Sequence, residues 1–156
     1  MAEKRMQVRE DLRLSAFMPP AHPILVVCEK CKKCATLLEF LFPRQPRGMV
    51  VRFGRCSCLH CGHQWMMPAG FHLFTRGPLW LRMPCHKNVL WILNRPHLEF
   101  MEQFIAADLR EERMPNRSSR RLSSALPRWL IAGKNRDDVV RCLKKLREKL
   151  EATKLD

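Results

Sequence analysis

The chain has 156 residues, 46% apolar and 28% charged, which suits one folded domain or two small ones and excludes a disordered chain. No apolar run approaches the roughly 18 residues that span a bilayer. The N-terminus lacks an apolar core and carries Glu3, Glu10 and Asp11, so neither a secretory signal nor a transit peptide is expected, and the expected compartment is the cytoplasm.

The net charge of +14 is uneven: residues 24–96 hold eleven basic and two acidic side chains, which favours a polyanionic partner and leaves few groups for acid–base catalysis.

Residues 1–23 are polar and mixed and end in a proline-rich stretch, and they read as a loosely held arm. Ile24–Val27 reads as a short strand. Thr36–Phe42 and Met49–Phe53 are β-branched, aromatic and aliphatic, and they flank the turn-forming residues Arg44 to Gly48. They predict a hairpin-like β unit. Short apolar runs at 64–67, 71–74, 79–83 and 89–93 follow, with a turn expected after Pro84. The pattern changes at Asn94, a candidate cap for a helix with Pro96 in its first turn and Leu98, Met101 and Ile105 on one face. A short helix is expected around Trp129 and Leu130. The last helix starts after Asn135, its candidate cap, and lines up Val139, Cys142, Leu143, Leu146 and Leu150, with Asp137 expected to pair with Arg141. The fold class is therefore α+β: an N-terminal arm (1–23), a strand-rich domain (24–93), and a module of two to three helices (94–156).

Six of the eight cysteines fall between positions 28 and 61. Without a secretion signal they read as metal ligands and core residues rather than disulfides. A C-x-x-C turn brings two sulfurs to one ion, and two such turns supply a tetrahedral set of four thiolates. The second pair is Cys58 and Cys61. The first is chosen from an overlapping triplet. Cys31 and Cys34 are preferred because Ala35-Thr36 leads straight into the next strand, and Cys28 with Cys31 is the alternative. Cys56 reads as a spare thiol and Cys142 as core. His60 and His63 are expected to face outward or to hydrogen-bond nearby groups.

Cys31-Lys32-Lys33-Cys34 and Cys58-Leu59-His60-Cys61-Gly62-His63-Gln64-Trp65 resemble the knuckles of the bacterial zinc-ribbon domains, over about residues 28–67. Ala35 departs from that pattern, which usually has glycine there. The resemblance implies a rubredoxin-like pair of knuckles on a small antiparallel sheet, one structural Zn²⁺, and a role in nucleic-acid or protein recognition. Lys30, Lys32, Lys33, Arg44, Arg47, Arg52 and Arg55 could form one basic face against phosphates, with Phe53 and Trp65 able to add stacking. A closed four-thiolate site has no open position for substrate, so no enzyme is expected. The expected function is a non-catalytic nucleic-acid binder connected with transcription. The alternative is a protein–protein adaptor that docks through the C-terminal helices. Neither a membrane nor a small-molecule substrate is expected as a partner.

Overall fold

The computed structural model describes residues 14–42, 52–69, 77–106 and 126–153. Strands β1 (Ile24–Val27), β2 (Cys34–Leu41), β3 (Phe53–Ser57) and β4 (Gln64–Pro68) form an antiparallel sheet in the order β1-β2-β3-β4. Leu37 lies opposite Ile24 on one side and Cys56 on the other, and all three are fully buried. The β2–β3 register shifts between Leu37 and Glu39, an irregularity of the kind a bulge produces.

Gly54 sits beneath Leu37. A Cβ at this position would lie 2.5 Å from Leu37 Cδ1, so the close approach requires glycine. Gly54→Ala is expected to cost about 1–3 kcal/mol by overpacking a buried leucine. Urea unfolding checks this, and a midpoint unchanged from wild type would contradict the packing described.

A second hairpin joins β5 (Leu81–Cys85) to β6 (Asn88–Ile92). The turn expected after Pro84 is the two-residue connection His86-Lys87, with His86 at a positive φ of 56°. The hairpin is tied to the free edge of β1. Leu79 bridges Val26, Leu25 N–H donates to Leu93 O (2.8 Å), and Trp80 N–H donates to Leu25 O (3.0 Å).

Helices α1 (Arg95–Ala106), α2 (Arg128–Ile131) and α3 (Arg136–Ala152) follow, so the fold is α+β with three α-helices among the described residues. Asn94 caps α1 as expected, its Oδ1 accepting from His97 N–H (3.2 Å). Its Nδ2 also donates to Phe17 O (2.6 Å) and Pro23 O (2.9 Å). Phe17 is buried and stacks on His97 with centroids 5.2 Å apart, so residues 14–23 are held against α1. The apolar face of α3 is buried as expected, at Val139, Cys142, Leu143, Leu146 and Leu150. It packs against β5 and α1. Cys85 Sγ donates to Asp138 O (3.7 Å), and Arg147 Nη2 meets Glu102 Oε2 (2.5 Å).

Two local expectations differ. Asn135 makes no side-chain cap for α3; it is buried, and its Nδ2 donates to Trp129 O (2.8 Å). Arg141 ion-pairs with Asp138 one residue on, and reaches only the backbone oxygen of Asp137. Among the described residues no helix is long and apolar enough to cross a membrane.

Candidate metal centre

The sulfurs of Cys28, Cys31, Cys58 and Cys61 all lie within 4.8 Å of one another. Cys28 and Cys61 are 3.7 Å apart, and Cys31 and Cys58 are 3.6 Å apart. A tetrahedral ion with metal–sulfur distances of about 2.3 Å has edges of about 3.8 Å, so the four sulfurs fit one such ion.

The two knuckles repeat one backbone design. Cys28 N–H donates to Lys33 O (2.8 Å) and Lys32 N–H to Cys28 O (3.0 Å). Cys58 N–H donates to His63 O (2.9 Å) and Gly62 N–H to Cys58 O (2.9 Å). The fifth residue of each turn is left-handed, with Lys32 at φ 61° and Gly62 at φ 69°. In the first knuckle, Cys31 N–H also points at Cys28 Sγ (3.5 Å).

The structure thus gathers Cys28 with Cys31, and not Cys34. Cys34 opens β2 opposite Val27 and is 3% exposed, and its thiol faces Ala35 O at 3.8 Å. Burial, reinforced by the nearby Cys58 and opposed by Lys149, pushes its pKa up to about 12. Cys56 is also outside the cluster. It is fully buried in β3, and burial pushes its thiol up to about 12.

Within the cluster the thiols compete for protons. Burial disfavours the Cys28 thiolate, but the amides of Cys31 and Lys30 and hydrogen bonds with the Cys31 and Cys58 thiols outweigh it and lower the pKa to about 6. Cys31 moves the other way. The Lys33 amide favours its thiolate, yet burial and the three neighbouring sulfurs push it up to about 11. Four sulfurs this close cannot all ionise unaided. A divalent cation removes the repulsion and displaces the remaining protons.

A second link joins the knuckles. His63 Nε2 lies 2.8 Å from Glu29 Oε1, and its ring stacks on Trp65 at 5.3 Å with planes 13° apart. Glu29 belongs to the first knuckle and His63 follows the second. Nothing in the residue pattern marks this pair in advance. The choice of Cys28 did have a signal: Cys28 follows directly on the end of β1, as Cys58 follows directly on the end of β3.

Of the basic residues singled out above, Lys30, Lys32 and Lys33 are exposed on the first knuckle. Arg52 and Arg55 are exposed at β3, and Arg55 Nε is 2.6 Å from Glu39 Oε1. Arg44 and Arg47 lie outside the described residues. No protein-family model, curated protein or solved structure matches the chain. The metal assignment therefore rests on the geometry of the four cysteines.

Proposed function

We propose that the chain is a non-catalytic zinc-ribbon protein that binds nucleic acid, in transcription or its regulation, through the basic face of the ribbon. A tetrahedral set of four thiolates suits zinc and leaves no coordination position for a substrate, so the ion acts as a fastener. The observation that carries the reading is the first knuckle. Lys30, Lys32 and Lys33 are exposed together on the loop that the metal would hold rigid. The Lys32 ammonium donates to the neutral carbonyl of Glu29 (2.7 Å), while the Glu29 carboxylate is engaged by His63. The three charges are therefore available to phosphates.

Replacing all three lysines with glutamine is expected to weaken binding of labelled DNA or RNA and to reduce the salt slope by about 2–3, since each neutralised phosphate contributes about 0.7–0.9. Fluorescence anisotropy across salt, with zinc content checked, makes the test. A wild-type protein that binds neither nucleic acid at about 50 mM salt overturns the reading.

The competing adaptor reading asks for a free apolar surface on the C-terminal helices. On those helices Leu130 and Leu146 are 3% and 1% exposed, while Trp129 is half-buried and Val140 is exposed.

A further inference from the structure

We infer that the end of the ribbon remote from the knuckles is a stacking site for single-stranded nucleic acid, built on Phe42 and Arg52. This rests on the reading that the chain binds nucleic acid and specifies the strand state it takes.

β2 leaves the first knuckle at Cys34 and β3 enters the second at Ser57. Phe40, Phe42, Arg52 and Phe53 therefore lie at the other end of the sheet, about 20 Å along the strands. There the Arg52 guanidinium carbon sits 4.8 Å from the centre of the Phe40 ring and 5.4 Å from that of Phe42. Phe42 is nevertheless 54% exposed. The carboxylate of Glu39, on the same strand, is taken by Arg55 at 2.6 Å, and among the described residues no carboxylate pairs with Arg52.

An exposed aromatic ring beside an arginine that meets no carboxylate among the described residues matches a nucleotide. The base stacks on the ring, and the phosphate meets the guanidinium. Bases in a duplex have no free face for such a ring, whereas unpaired bases do. The excess of basic groups in residues 24–96 supplies the charge that draws a polyanion to this surface.

The test uses the zinc-loaded full chain and three labelled probes of about 12 nucleotides: an intact single strand, its duplex, and a strand of abasic sites. The intact single strand is expected to bind more tightly than either of the others. Phe42→Ala is expected to weaken the intact strand by about 5- to 150-fold, leaving the other two probes and the salt slope unchanged. Phe42→Trp should retain binding, and zinc content should be that of wild type in both variants. Arg52→Gln should lower the salt slope by about 0.7, one phosphate contact on a single strand.

If Phe42→Ala binds the intact strand as tightly as wild type, or loses affinity equally for all three probes, the stacking site is wrong. Retained, lysine-dependent binding would then still support the nucleic-acid reading. If wild type binds none of the probes at about 50 mM salt, both readings fall.

Discussion

Cys28→Ser is expected to lose the metal and unfold the four-stranded sheet, whereas Cys34→Ser keeps one equivalent bound. Binding of a structural zinc contributes roughly 10–16 kcal/mol in small zinc-finger peptides. That is comparable to the whole stability of a typical domain, about 5–15 kcal/mol. Removing one of four thiolates therefore removes most of what holds the two knuckles together. Cys34 differs because its sulfur lies buried in β2, outside the cluster. A serine there places a hydroxyl where the thiol faces Ala35 O, at a cost of about 1–3 kcal/mol for an imperfectly satisfied buried polar group. Metal equivalents and urea midpoints of the two variants check this. Zinc lost from Cys34→Ser and kept by Cys28→Ser would move the first knuckle three residues along the chain.

Acid is expected to weaken the packing of α1 through His97. This side chain is 2% exposed, lies between Phe17 and Trp91, and accepts a hydrogen bond at Nδ1 from Leu93 N–H (3.1 Å). Burial pushes its pKa down to about 4, against 6.5 for a free imidazole. The folded protein keeps the ring neutral, while the unfolded chain takes up a proton below about pH 6.5. The stability that depends on the neutral ring is therefore complete above that pH and is lost as the pH falls toward 4. The loss is about 2 kcal/mol between pH 7 and pH 5, and about 3 kcal/mol by pH 4. The cysteine cluster also takes up protons in acid, so the informative quantity is the difference between wild type and His97→Gln, which share that cluster. A glutamine oxygen can accept from Leu93 N–H without titrating. The wild-type advantage should shrink by those amounts in urea unfolding. An advantage independent of pH would mean that His97 is not held neutral.

The second knuckle was legible in the sequence because Gly62 supplies the left-handed residue that closes the turn. The first was ambiguous because Lys32 adopts the same conformation, and a lysine carries no compositional mark of it. Without that marker, the run of Ala35-Thr36 into the next strand favours Cys31 with Cys34, one cysteine further along than the pair the structure gathers. The strand boundary gives no warning either. β2 begins at Cys34 rather than Thr36, so the cysteine assigned to the metal belongs to the ladder with β1.

The amphipathic faces of α1 and α3 were readable because their period is local. How they are joined was not. The double use of the Asn94 amide, the Glu29–His63 link and the attachment of Leu79 and Leu93 to β1 all join residues distant in sequence or spend side chains in roles that composition does not announce. Asn135 shows the same limit: its type suggests a cap, and tertiary structure turns its amide to Trp129.

The central claim is that Cys28, Cys31, Cys58 and Cys61 hold one zinc ion as a closed set of sulfurs. Zinc-edge X-ray absorption on the full chain, with metal content measured on the same sample, tests it most directly. The expected result is one equivalent of zinc with four sulfur neighbours at about 2.3 Å and no nitrogen or oxygen neighbour. Absence of bound zinc, or a shell containing imidazole or water, would contradict it.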